Sequence, residues 1–348
     1  MAKSKHFGPL AAAAGALVAV TLLVLMLVVV NPQPAKAAFP GQNGRIAFAS
    51  NRSGLPNNPD NYDIYTVSST GTEVGLFQRT NNPAFDTEPA YSPNGNKIAF
   101  QSNRSGNWDI YTVNATGSTA NLTQITTNQA VDRDPNWSPD GSRIVFSSNR
   151  GGGDEQIWEV GSTGTEVNPD QISSAPHAHR RPAYAPDGNR IVFQMFSGGF
   201  PTPQPNWNIW TARPNSPGSY ERITSDLAPD EEPAFSPDGS RIAFSSRRFD
   251  PDPNTPPALT DIFSATPSGV EDNLVEIGET TNNLADDEKP AFSPDGSKIV
   301  FDSNRSGLPN NPDNYDIFIV HCTFQSPTFS QITNNPATDY AADWQRLP

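Results

Sequence analysis

The chain has 348 residues, among them 35 prolines and 25 glycines, and its 23 basic side chains against 37 acidic ones leave a net charge of -14. Proline and glycine together stay below the roughly 25–30% that marks low-complexity chains, so a folded, turn-rich protein is expected. Such an acidic chain repels phosphate backbones, which argues against nucleic acid as a partner, and the single cysteine, Cys322, rules out an intramolecular disulfide and a cysteine-based zinc cluster.

The first element is an export segment. Lys3, Lys5 and His6 precede an apolar run from Leu10 to Val30, and Asn31-Pro32-Gln33-Pro34 then leads into the small-residue site Ala35-Lys36-Ala37. Basic, apolar and A-x-A regions in that order make a secretory signal. The run has 21 residues, close to the ~20 that span a bilayer. Two expectations therefore stand, cleavage after Ala37 or an uncleaved anchor through residues 10–30, the latter being the only expected contact with a membrane. Both put residues 38–348 outside the cytoplasm, in a secreted, periplasmic or cell-surface protein.

The remainder is a repeat. Ser92-Pro93-Asn94-Gly95, Ser138-Pro139-Asp140-Gly141, Ala185-Pro186-Asp187-Gly188, Ser236-Pro237-Asp238-Gly239 and Ser293-Pro294-Asp295-Gly296 are preceded by a degenerate copy, Gly41-Gln42-Asn43-Gly44. The glycines are 51, 46, 47, 51 and 57 residues apart, the period of a four-stranded propeller blade. Proline at the second position of a type I turn, followed by glycine in the left-handed region, joins an innermost strand A to strand B. Strand B recurs as Ile46-Ala47-Phe48, Ile98-Ala99-Phe100, Ile144-Val145-Phe146, Ile191-Val192-Phe193, Ile242-Ala243-Phe244 and Ile299-Val300-Phe301. Three consecutive apolar residues imply a strand covered on both faces, as radial stacking of blades supplies. Strand C recurs as Asp63-Ile64-Tyr65, Asp109-Ile110-Tyr111, Gln156-Ile157-Trp158, Asn208-Ile209-Trp210, Asp261-Ile262-Phe263 and Asp316-Ile317-Phe318.

The first copy starts at strand B, whereas Asp339-Tyr340-Ala341-Ala342-Asp343-Trp344 near the carboxyl end aligns with Asp86-Thr87-Glu88-Pro89-Ala90-Tyr91. The expected fold is all-β, a six-bladed β-propeller of four-stranded blades whose carboxyl-terminal strand completes the first blade and so leaves no open edge.

The unit Asp-x-x-Pro-x-aromatic-Ser-Pro-Asp-Gly-x-Lys/Arg-Ile-Ala/Val-Phe-x-Ser-x-Arg, followed by Asp-Ile-aromatic, resembles the repeat of TolB-type β-propellers and covers residues 41–344. That resemblance implies export and a propeller that binds partner proteins of the cell envelope. TolB itself carries a separate amino-terminal α/β domain, and this chain departs from that plan because its repeat begins a few residues after the export segment. Related propellers precede peptidase domains, but no G-x-S-x-G nucleophile elbow is found.

Blade geometry puts the Ser-Pro-Asp-Gly turns on one face and the length variation on the other, the top. The long top loops are expected at 51–62, 197–206, 247–260 and 304–315, where binding usually resides. The same rim carries Asp86, Asp132, Asp230, Asp287 and Asp339, one at the start of each strand A, with His179 in the fourth unit. Four residues after the strand B phenylalanine stand Arg52, Arg104, Arg150, Arg248 and Arg305, with Ser197 breaking the series. The aspartates have two readings: a ring of carboxylates attracting a cation or basic peptide, or residues that cap turns and pair with the rim arginines.

The identical segments at 50–64 and 303–317 offer Asn57, Asp60, Asn61 and Asp63, with Asn310, Asp313, Asn314 and Asp316, as oxygen ligands for calcium. No other cofactor is expected. His177-Ala178-His179-Arg180-Arg181 puts two imidazoles and two guanidinium groups on an acidic rim, a place for a transition metal or an acidic partner. No catalytic constellation is evident, so the functional expectation is a monomeric, non-catalytic scaffold for protein or peptide partners of the cell envelope. The alternative is a secreted carbohydrate-cleaving lyase or hydrolase using His177, His179 and the rim aspartates.

Overall fold

A computed structural model describes residues 41–52, 61–116, 121–164, 166–199, 202–248, 259–268, 275–276, 285–305, 314–322 and 328–347. The chain separates into two units, Met1–Lys36 and Ala37–Pro348. The first lies outside the described residues, as do both export expectations, so the fold concerns the second.

Six four-stranded antiparallel sheets make up that unit. The first runs β24 (Asp339–Leu347), β1 (Gln42–Ser50), β2 (Asp63–Ser68), β3 (Phe77–Gln78) from the inside outwards. The second is β4 (Asp86–Tyr91), β5 (Lys97–Ser102), β6 (Asp109–Asn114), β7 (Thr123–Gln124), and the third is β8 (Asp132–Trp137), β9 (Arg143–Ser148), β10 (Gln156–Gly161), β11 (Asp170–Gln171). The fourth is β12 (His179–Tyr184), β13 (Ile191–Gly199), β14 (Thr202–Arg213), β15 (Ser216–Arg222). The fifth is β16 (Asp230–Phe235), β17 (Ile242–Ser246), β18 (Asp261–Ala265), β19 (Val275–Glu276). The sixth is β20 (Asp287–Phe292), β21 (Lys298–Ser303), β22 (Asp316–His321), β23 (Phe329–Gln331). Innermost strands contact one another in turn, β4 with β8, β12, β16, β20 and finally β24, which returns to β4. The fold is a closed six-bladed β-propeller, and β24 pairs with β1 from Gln42↔Leu347 to Ser50↔Asp339, completing the first blade.

Stacking explains why strand B is apolar on both faces. The six hydrophobic clusters each join two adjacent blades, for example Ile98 and Phe100 with Ala47, Ala49 and Ile64, or Ile46 and Phe48 with Ile317 and Ile319. Phe48, Phe100, Phe146, Phe193, Phe244 and Phe301 are essentially fully buried, each worth roughly 1.5–3 kcal/mol relative to exposure.

The turns follow their sequence. Gly141 sits at φ 71°, its N–H donates to Ser138 O at 2.8 Å, Ser138 Oγ donates to Asp140 Oδ1 at 2.6 Å, and Arg143 N–H donates to Ser138 Oγ at 2.9 Å. The first copy differs. Gly41-Gln42-Asn43-Gly44 makes no turn, because its strand A comes from the other end of the chain; Gln42 and Asn43 instead begin β1. The expected top loop at 197–206 is likewise a hairpin, with Ser197↔Asn206 and Gly199↔Thr202 extending β13 and β14. Residues 53–60, 249–258 and 306–313 of the other three loops lie outside the described residues.

Candidate functional site: the channel and its top mouth

The rim aspartates are buried and paired. Arg104 reaches Asp86 at 2.6 Å, Arg150 reaches Asp132 at 2.7 Å, Arg248 reaches Asp230 at 2.6 Å, and Arg52 and Arg305 meet Asp339 and Asp287. Each arginine also hydrogen-bonds the serine ending strand B, as Arg150 Nε to Ser148 Oγ at 3.0 Å. Each lies over the strand B phenylalanine, as Arg150 over Phe146 at 4.7 Å. Burial pushes the carboxyls of Asp132, Asp230, Asp287 and Asp339 above their ordinary range, against the opposite pull of the arginines. Of the two readings of these aspartates, the contacts are those of pairing with the rim arginines and not of an open carboxylate ring: each ties the top of its own blade to an arginine.

The fourth blade lacks the pair. His179 replaces the aspartate and is fully buried, its ring 5.1 Å from Phe193 and 5.7 Å from Tyr220. Neither imidazole nitrogen has a hydrogen-bond partner. Burial, with a smaller contribution from His177, lowers its pKa to about 4, so the ring is neutral. His177 is exposed. The two histidines thus do not present their rings to one ion. Arg180 is exposed, pairs with Glu155 and covers the Trp207 ring at 5.3 Å.

The candidate calcium oxygens that are described are engaged in hydrogen bonds of their own blades. Asp63 accepts from Gln78 Nε2 and Thr80 Oγ1, both at 3.1 Å. Asp316 accepts from Gln331 Nε2 at 3.2 Å and Thr333 Oγ1 at 3.1 Å. Asn61 and Asn314 donate to Asn82 O and Asn335 O. Asn57, Asp60, Asn310 and Asp313 lie outside the described residues. Among the described residues no group of three or more His, Cys, Asp or Glu could hold a metal ion. Burial, aided by Asp295, raises the Cys322 thiol to about 11, which keeps it protonated.

The residues that line the channel are different ones. In each innermost strand the register shifts, as between Thr87↔Gln101 and Ala90↔Ala99, and the residue two after the rim position takes a left-handed backbone. Glu88, Asp134, Arg181, Glu232, Lys289 and Ala341 have φ between 53° and 57°. Six such non-glycine conformations, one per blade, are held by the surrounding structure. The next blade's N–H is fixed by the residue after the strand B phenylalanine: Asp134 N–H donates to Gln101 Oε1 at 2.9 Å, Glu232 N–H to Gln194 Oε1 at 2.8 Å, Ala341 N–H to Asp302 Oδ2 at 2.8 Å.

These bulge residues line a cavity of about 150 Å³ in the channel. Arg181 contacts Glu88, Asp134 at 3.3 Å and Glu232 at 3.8 Å, while Lys289 lies 3.6 Å from Glu88, 3.9 Å from Asp302 and 4.3 Å from the centre of the Tyr340 ring. Burial opposes the charge on Lys289, and Glu88, Glu232 and Asp302 outweigh it and raise its pKa. Burial pushes Asp302 well above the carboxylate range despite Lys289. The sequence signal for this ring is the charged residue immediately before the strand A proline in the second to sixth blades, a position the repeat unit leaves unspecified.

At the top of the same strands the next position divides the mouth into sectors. Tyr340, Tyr62, Phe85 and Trp108, from the first two blades, form a half-buried aromatic row with ring centres 5.0, 6.3 and 6.5 Å apart in succession. Arg133 continues it, 5.3 Å over Trp108, and Arg180 follows on the fourth blade. Glu231 and Glu288 occupy the fifth and sixth blades. Burial, then the charge of Glu232, raises Glu288 to about 7.

No family model matches the chain, and no curated protein matches it. Solved structures share the fold. TolB from Acinetobacter baumannii aligns with 95% of this chain and 72% of its own at 17% identity and a TM-score of 0.64. A putative TolB from Agrobacterium tumefaciens aligns with 87% of this chain and 99% of its own at 18% identity and a TM-score of 0.59. An oligogalacturonate lyase from Vibrio parahaemolyticus aligns with 76% and 71% at 16% identity and a TM-score of 0.51. The architecture is thus that of TolB-like propellers.

Proposed function

We propose that this propeller is an exported, non-catalytic docking module that takes an extended segment of a partner protein across the top mouth of its channel. The observation that carries the reading is the division of that mouth into an aromatic, a basic and an acidic sector. A folded rigid ring that offers aromatic surface between opposite charges matches a peptide with apolar, acidic and basic side chains in sequence, and the opposed charges fix its direction. The buried rim pairs and the channel ion network hold the mouth rigid, so little entropy is lost on binding. The likeness to TolB structures and the secretory pattern of the first 37 residues support a place in the cell envelope or extracellular space.

The test is selection of random peptides displayed on phage against the immobilised protein. Enriched peptides carrying both charge signs should lose binding by about tenfold or more, about 1.4 kcal/mol, in R133E/R180E and separately in E231K/E288K. Peptides whose affinity is untouched by both reversals would place the docking surface elsewhere. Turnover of oligogalacturonate by the purified protein would sink the non-catalytic reading.

A further inference from the structure

The lower half of the channel contains a second cavity, about 140 Å³, at the opposite end from the top mouth. Four residues after the rim position, four innermost strands carry alanine, Ala90, Ala183, Ala234 and Ala291, the last three of them in its wall; two blades depart from alanine, the third with Asn136 and the first with Asp343, both also in the wall. Below this level the wall includes the half-buried rings of Phe235 and Phe292 and the prolines of the bottom turns, with Ser92, Ser236 and Arg346 among them.

Asp343 is the only carboxylate in the cavity wall among the described residues. Its Oδ2 accepts from Tyr91 N–H at 2.6 Å, which fixes the side chain. Burial raises it to about 6, against the backbone N–H groups of Tyr91 and Trp344, with no cation among the causes. Arg346 also lines the cavity, but it lies along the first blade's edge, where a Cβ at Gly41 would come 2.9 Å from Arg346 Nε. An ionised carboxylate in a buried chamber stays costly with backbone donors alone, and a cation that joins it lowers that cost. Where four blades manage with alanine, an acid is not needed to build the ring.

We propose that this chamber is a binding site for a primary ammonium group on a short apolar stem, an alkylamine or a lysine side chain entering from the bottom face. The ammonium pairs with Asp343, and the stem packs against Phe235 and Phe292. A chamber of this volume holds about four or five waters at ~30 Å³ each, the size of a butylammonium ion, and displacing them from apolar walls favours the stem. The ion pairs of the bulge ring, Arg181 with Glu88 and Lys289 with Glu88 and Asp302, occupy the channel above.

The experiment is calorimetric and thermal-melt titration of the purified protein with n-butylammonium chloride at pH 7.5, beside sodium butyrate, n-butanol and sodium chloride. Saturable binding of n-butylammonium, absent with the other three and weakened about tenfold or more in D343N, is expected. The variant keeps its shape because Asn136 already occupies the equivalent position, and D343A, matching the other four blades, serves as the second variant. Equal affinity in wild type, D343N and D343A, or an equal effect of butyrate, overturns the proposal. Because this chamber lies below the charged ring, the outcome is independent of peptide binding at the top mouth.

Discussion

Where a repeat breaks its own rule, a single residue carries the consequence. His179 stands where five blades have an aspartate paired to arginine, and its neutral ring packs on Phe193 and Tyr220 with both nitrogens unpartnered. Because burial lowers its pKa to about 4 in the folded chain, below the ~6.5 of an unfolded histidine, the unfolded state binds the extra proton between those values. Its contribution to stability is complete above about pH 6.5 and is lost as pH falls towards 4. Replacing it with phenylalanine should remove that loss: H179F is expected to melt higher than wild type at pH 5, with a smaller difference at pH 7.5. Melting temperatures across pH 4.5–8 check this, and parallel curves for the two proteins would show that His179 does not titrate with unfolding. The same residue shows what the sequence could not disclose. A histidine next to another histidine and two arginines reads as a surface cluster, and only the strand register reveals that alternate side chains go to different places, His179 into the core and Arg180 to solvent.

At the scale of the element, turns and strands were legible because their chemistry is local. Proline, aspartate and glycine in fixed order specify the A–B turn, and an unbroken apolar triplet specifies a strand covered on both sides. The innermost strand was legible in position but not in facing. Regular alternation puts Asp86 and Glu88 on one face, yet the register shift and the left-handed backbone at Glu88 turn it into the channel while Asp86 stays inside the blade. A bulge of this kind has no glycine to announce it. The glycines of the turns are not equivalent either. Gly95 and Gly141 share φ near 70°, but a Cβ at Gly95 would lie 2.2 Å from the backbone oxygen of Arg346, whereas at Gly141 it would meet only Pro93 at 3.7 Å. G141A is expected to cost about 1–2 kcal/mol from the left-handed backbone alone. G95A should cost clearly more, because the closing strand must move. Urea unfolding of the two variants measures the difference, and equal midpoints would mean that β24 yields freely at that contact.

For the whole molecule, the arrangement of the chain ends decides what kind of stability the ring has. Each blade buries its apolar faces only against two neighbours, so no blade is complete alone, and β24 is the piece that converts an open row into a closed ring. Its pairing with β1 was predictable from sequence, since the last aligned unit stops after strand A and the first begins at strand B. The ends of the described unit are neighbours, with Gln42 opposite Leu347, so the covalent break between them is incidental to the packing. Removing 339–348 should abolish cooperative unfolding, because β1 loses its inner partner and the first blade's face towards the sixth blade loses Trp344 and Ala342. A circular permutant that joins residue 347 to residue 42 through a short glycine linker, and opens the chain within the exposed 151–154 turn, keeps every strand pair and should unfold cooperatively within a few degrees of the parent. Calorimetry of the truncated and the permuted protein separates the two influences. A truncated chain that melts like the parent, or a permutant that does not fold, would show that the ring is held by something other than its closure.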